Sequence, residues 1–423
     1  MAAAPQLRRT LTLGPLILYG LGVIVGAGIY VAIGEVVARA GSAAPLAFLL
    51  AGLVAAATGL CYAELAGRFP EAAGAAAYVR HGFGSDRLSL ATGLALALAI
   101  VVATASIASG AAQYLGLLLP LPAPVLTALV VVVFAGVAAL GVRESVFLAA
   151  SVAALELLGL LAAIIGGLWG AGGLDLTAMV PQGPSGWNGV AAGAFIAFFA
   201  FIGFESLANM GEEVQDAHRT LPRGILGAIA ASLALYLAVS VAAVAGGREP
   251  TSLAGLFGGM GATAFALVGT LAVANGVLVQ VVALARLFYG VARRGQLPSV
   301  LGLVHPRTLT PLPATLLAGG LVLAMAVLVP FEHLLSLANL VTLAVFALVD
   351  VALWRVKRRD PGAAGRFRPD APRGSRSSSP GPPSWRLPPT GPAGYTATRC
   401  RRHRTPAPPR TAGTPRAYRP GDI

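Results

Sequence analysis

The chain has 423 residues, 56% hydrophobic and 11% charged, with a mean hydropathy of +0.77 and a net charge of +13. No soluble chain of this length needs so much apolar surface, so the composition points to a membrane protein. Two cysteines, Cys61 and Cys400, exclude a disulfide framework and lack metal-ligand spacing.

The first apolar segment, 14–38, follows Arg8 and Arg9. It is too long for a signal peptide and has no small-residue cleavage site, so it reads as a retained first span behind a cytoplasmic N-terminus, residues 1–13. Inside it stands Gly22-Val-Ile-Val-Gly26-Ala27-Gly28-Ile29-Tyr30. Three glycines weaken the helix and bare N–H groups that hydrocarbon cannot satisfy. Irregular backbone at that depth survives only against protein or a water-filled cavity, as in the broken helices of many secondary transporters. The same glycines also fit close helix packing, since Gly22-xxx-Gly26 is a helix-contact spacing.

A bilayer core of about 30 Å takes roughly 20 apolar residues per helix. Nine further segments follow at about 44–66, 88–118, 122–141, 146–171, 189–210, 223–245, 262–292, 312–330 and 333–354. With the N-terminus inside, fifteen basic residues from Arg8 to Arg359 fall on the cytoplasmic side and only Arg39 and Arg248 outside. Ten spans divide into 14–171 and 189–354, and five per half means that the halves enter from opposite sides. The sixth span, which opens the second half, contains Phe198-Phe199-Ala200-Phe201-Ile202-Gly203-Phe204-Glu205-Ser206, with a glycine and an acid inside an apolar run. Corresponding interruptions in both halves point to a central binding site.

Two acids stand inside spans. Glu205 follows the sixth-span glycine, and Glu156 lies near the middle of the fifth span with no basic residue in its own segment. A lone buried carboxylate costs several kcal/mol, so each must be protonated, partnered or beside water. Proton coupling is the functional reading for both; a structural hydrogen bond is the alternative. At the cytoplasmic ends, Glu64 with Arg68 and the cluster Glu212, Glu213, Asp216, His218, Arg219 and Arg223 offer salt bridges of an inner gate, or ordinary interfacial charge. Asn275 and Gln280 face a cavity or bond between helices. Gly258-Gly259-Met260-Gly261 lacks the strand context and Lys-Ser/Thr ending of a nucleotide loop. Neither a catalytic constellation nor a metal or cofactor site is expected, and nucleic acid is not an expected partner.

Residues 355–423 read as a basic, Pro/Arg-rich disordered tail. From 361 on it carries twelve arginines, two aspartates and fourteen prolines, leaving residues 1–360 nearly neutral. Such a composition is what a GC-rich gene yields out of frame; a lipid-binding basic tail is the other account.

Four ordered motifs resemble the amino acid–polyamine–organocation permeases: Gly26 to Tyr30, Tyr62-Ala63-Glu64-Leu65-Ala66-Gly67-Arg68-Phe69-Pro70 through Gly74, Phe201 to Arg223, and Arg286-Leu287-Phe288-Tyr289 to Pro298. The resemblance covers roughly residues 10–357. It implies an all-α multi-pass fold with a five-plus-five inverted-repeat (LeuT-like) core and alternating access. By the same resemblance the amides around Gly26, Ala27 and Gly28 would take a substrate carboxylate. Carbonyls near Phe199, Ala200 and Ile202, beside Gly203, would take its amino group, with Phe199 as an aromatic lid and Glu205 as the proton sensor. Two departures stand out: Glu156 occupies the place of a helix 5 lysine found in some proton-coupled relatives, and the tail replaces the family's helices 11 and 12.

The expected function is secondary active transport of amino acids or amines across the cytoplasmic membrane, by proton symport or exchange. Phe199, Phe201 and Phe204 suggest neutral substrates, with cationic ones also open. A non-transporting, lipid-binding scaffold and a sodium-coupled carrier are the rival readings, and a homodimer is compatible with either.

Overall fold

The computed structural model describes residues 11–359 apart from 71–73, 141–145, 172–176, 209, 212, 246–249, 294, 296, 307 and 309; for 146–153 and 178 only the backbone is described. Glu212 and the segment from 360 onward, with its proposed disorder or shifted frame, lie outside the described residues.

Each apolar segment marked in the sequence is helical over most of its described residues. The first is divided into α1 (Leu13–Val25) and α2 (Gly28–Ala40). There follow α3 (Ala44–Arg68), a short α4 (Gly74–Phe83), α5 (Asp86–Gly116), α6 (Ala123–Leu140) and α7 (Val146–Trp169). The sixth segment comprises α8 (Gly183–Ala197), a 3-10 turn over Phe198–Phe201 and the one-turn α9 (Glu205–Ala208). The remainder are α10 (Ala217–Val244), α11 (Gly259–Arg293), α12 (Leu312–Leu328) and α13 (Phe331–Arg359). Among the described residues no sheet forms; a single parallel bridge joins Leu11 to Val214.

Local chemistry accounts for the helix ends. Ser85 caps α5, its hydroxyl accepting from the Leu88 N–H at 3.3 Å. Prolines occupy the first turns of α3, α8 and α12, where a missing N–H costs nothing. Two boundaries depart from the sequence reading. α10 starts six residues before 223 and carries Pro222 inside it. α13 continues through Arg359, so residues 355–359 are helix rather than tail. There Arg355 lies 4.4 Å over Phe83 and Arg358 3.9 Å over Trp354, and three cations in the last turn face the negative end of the helix dipole.

Seven helical stretches among the described residues are long and apolar enough to cross a membrane: 28–68, 86–116, 123–140, 183–208, 217–244, 259–293 and 331–359. Large apolar side chains such as Leu53, Leu60, Val132, Leu158, Ile165 and Leu316 are exposed, a distribution suited to hydrocarbon rather than water. Inside, small residues allow close approach. α3 packs along α10, and a Cβ on Gly59 would stand 2.4 Å from Ile229 Cδ1. α5 packs along α11, α6 along α12, and α2 along α8. This arrangement brings the interruption of α1–α2 against that of α8–α9.

Candidate functional site

The two interruptions touch. Gly26 and Ala27 separate α1 from α2, and Gly28, the first residue of α2, lies so close to the 3-10 turn that a Cβ there would meet Ala200 Cα at 2.9 Å and its carbonyl oxygen at 3.1 Å. On the other side, Gly203 adopts φ +128°, which glycine tolerates and other residues rarely do. Its Cα faces Val23 of α1, and a Cβ would lie 3.1 Å from the Val23 carbonyl.

Breaking two helices leaves backbone groups without their usual partners, and most of these can be traced. The Gly26 N–H donates to the Gly22 carbonyl at 3.1 Å. The N–H groups of Ala27 and Gly28 have no backbone acceptor among the described residues, so the positive end of α2 presents free donors. The Tyr236 hydroxyl, fully buried on α10, sits 2.8 Å from both the Ile24 and the Ala200 carbonyls and shares its one proton between them. Asn339 of α13 donates to the Phe195 carbonyl at 2.6 Å, where α8 tightens into the 3-10 turn. Glu205 closes its own break, its carboxylate accepting from the Gly203 N–H at 2.9 Å.

Replacing Tyr236 with Phe would leave two buried carbonyls sharing no donor, a loss of about 1–3 kcal/mol. The expected result is a lower unfolding midpoint in detergent; an unchanged midpoint would mean that the hydroxyl does not hold the two interruptions together.

A cavity of about 2310 Å³ runs from the interruptions to the exposed Asp86 and Arg80. Of the residues singled out in the sequence, Gly26, Ala27, Gly28, Phe199, Ile202, Gly203, Glu205 and Glu156 line it, together with Asn275, Gln280 and Arg286. Ala200 does not: it is buried against Gly28 with its carbonyl held by Tyr236. Phe201 and Phe204 are also turned away. Phe201 packs edge-on to Tyr236 at 5.0 Å, and Phe204 packs on Tyr62 and Phe346, so their apolarity carries no information about a ligand.

The expected inner-gate residues assemble differently. Arg68 bonds Glu64 at 2.6 Å, but both belong to α3. The link between helices is made by Lys357 of α13, whose Nζ reaches the other Glu64 oxygen at 2.5 Å. Glu213 contributes backbone instead, its carbonyl accepting from the Leu11 N–H at 3.1 Å. Neither Glu213 nor Arg219 forms an ion pair among the described residues, while His218 contacts the Gly67 carbonyl through Nδ1. Asp350 of α13 lies beside Cys61 and Thr58 of α3, its Oδ1 buried without a hydrogen-bond partner among the described residues. The rule that picks out Glu156 and Glu205, an acid within an apolar span, also picks out Asp350. Tyr236 carries no comparable signal, because a tyrosine in an apolar run is ordinary core.

Comparison with known proteins fits this architecture. A family model described as amino acid permease matches residues 13–387. The methylthioribose transporter of Bacillus subtilis (strain 168) is 29% identical over 392 residues, covering 86% of this chain and 84% of that protein. Two Arabidopsis thaliana proteins, cationic amino acid transporter 3 (mitochondrial) and cationic amino acid transporter 5, are each 30% identical over 388 and 373 residues. These alignments cover 83% and 82% of this chain but 63% and 65% of the plant proteins, so the chain spans less than two thirds of their length. A helical, multi-pass chain whose relatives are transporters and whose family match runs nearly end to end belongs to the amino acid permease family, within the amino acid–polyamine–organocation superfamily.

Proposed function

We propose that this protein is a secondary active transporter that carries amino acids or related amines across the cytoplasmic membrane by alternating access. The observation that carries the reading is the meeting of two broken helices in one cavity, with free donors at the start of α2 and carbonyls on the facing segment. Donors for an anion and carbonyls for a cation match a zwitterion. Ala27 and Gly28 take the carboxylate, and the carbonyl of Ile202, a cavity-lining residue of the sixth-span break, takes the amino group. A five-plus-five inverted repeat of ten spans is supported by the packing of like-numbered spans: the second on the seventh, the third on the eighth and the fourth on the ninth. The cavity opens beside Arg80, the side that the basic bias assigns to the cytoplasm, which corresponds to an inward-facing state. Relatives named for methylthioribose and for cationic amino acids support a small polar cargo.

Counterflow in proteoliposomes, with labelled amino acids and amines and no ion gradient, tests the reading. Accumulation of any of them is the expected result; none across the panel, with folded protein, would sink it in favour of a non-transporting role.

Coupling is assigned to Glu205. Its carboxylate holds the Gly203 N–H at the sixth-span break, and protonation would weaken that charge-assisted bond and loosen the joint. Glu205→Gln is therefore expected to flatten the pH dependence of uptake while leaving the protein folded. A pH profile matching that of the wild type would remove Glu205 from coupling, and uptake that requires sodium at constant pH would replace protons as the driving ion.

A further inference from the structure

Glu64 and Glu205, both half-buried, each have a partner for the carboxylate. Glu64 has Arg68 and Lys357, and Glu205 has the Gly203 N–H. Glu156, on α7, is only 5% exposed and lines the cavity, and no hydrogen bond or ion pair to its carboxylate occurs among the described residues. Its position is fixed by its backbone: the Tyr30 hydroxyl, two residues into α2 beyond Gly28, donates to the Glu156 carbonyl at 2.6 Å. Among the described residues no basic side chain forms an ion pair with the Glu156 carboxylate; Arg80 and Arg286 line the same cavity.

We propose that Glu156 is a specificity residue whose carboxylate forms a subsite for a second positive charge on the substrate, so that the cargo is a cationic amino acid or a diamine. The inference rests on the transport reading above and names its substrate class. Its basis is charge complementarity. The start of α2 is one positive pole, matched by a substrate carboxylate, and the carbonyls at the end of α1 and at Ile202 match one amino group. A zwitterion with a neutral side chain satisfies those and leaves Glu156 unmet in a desolvated wall, at a cost of several kcal/mol if it is ionised. An ammonium or guanidinium at the far end of the side chain removes that cost and gains a charge-assisted hydrogen bond.

Lysine and norleucine differ by the terminal ammonium and are otherwise nearly the same shape, so they form the test pair. In counterflow, wild-type protein should favour lysine by about tenfold or more, and Glu156→Gln should lose at least about tenfold of lysine exchange while shifting preference toward norleucine. Glu156→Asp, which keeps the charge, should restore lysine preference in part, and elution as a single species in detergent shows that each variant is folded. The proposal is overturned if wild-type protein exchanges norleucine as well as lysine, or if Glu156→Gln depresses both substrates alike. Exchange of neutral amino acids alone would leave transport standing and remove only the Glu156 assignment. Exchange of no amino acid or amine at all would remove both.

Discussion

Gly28→Ala is expected to abolish counterflow. The added methyl would stand 2.9 Å from Ala200 Cα and 3.1 Å from its carbonyl oxygen. Both are backbone atoms, in a turn held by Tyr236, whose ring is itself packed edge-on against Phe48 and the turn's own Phe201, so the turn cannot yield as a flexible side chain would. The α2 terminus would be pushed off the facing segment, and a displacement approaching 1 Å in a binding geometry costs on the order of 100-fold in rate. Gly93→Ala is the matched control: Gly93 also lines the cavity, but its Cβ would meet nothing within 4 Å. That variant should exchange substrate within about twofold of wild type, with a gain in helix propensity near 1 kcal/mol. Gly28→Ala protein that exchanges at the wild-type rate would show that the two interruptions separate during transport without ever needing this contact.

The largest effect on stability is expected at Glu64. Its carboxylate receives both Arg68, whose side chain is 3% exposed, and Lys357, whose side chain is 49% exposed. Arg68 Nε and Nη1 have no other acceptor among the described residues. Glu64→Gln would therefore leave a desolvated guanidinium without a counter-charge, a loss of about 3–5 kcal/mol. Lys357→Gln removes an ion pair with one partner in solvent, worth about 1 kcal/mol or less. Thermal unfolding in detergent should show a large drop for the first and a small one for the second. Equal drops would mean that the tie between α3 and α13, rather than neutralisation of Arg68, is what Glu64 supplies.

The sequence was most informative where the bilayer constrains the chain. Gly26-Ala27-Gly28 and Ile202-Gly203 stand out because hydrocarbon penalises bare backbone, and both turned out to interrupt helices. Glu156 and Glu205 stand out for the same reason applied to charge. The short α4 escaped because ten residues of mixed polarity carry no span-length signal, and it is held by Ala352 of α13 against Gly82. The ion cluster around Glu64 was half legible: Glu64 and Arg68 are four apart on one helix, whereas the cross-helix partner, Lys357, lies almost three hundred residues away.

By itself the sequence determined the helical, membrane-adapted character of this protein, the two places where helices break, and the family to which it belongs. The first two follow from local composition, because solvation by lipid and backbone hydrogen bonding act over a few residues at a time, and the family follows from its ordered motifs. Only the tertiary structure decided which exposed groups find partners. It gave the Ile24 and Ala200 carbonyls to Tyr236, turned Phe201 and Phe204 away from the cavity, and left Glu156 facing it alone. Such assignments depend on which helices lie side by side, and that is set by packing between segments from 36 to more than two hundred residues apart.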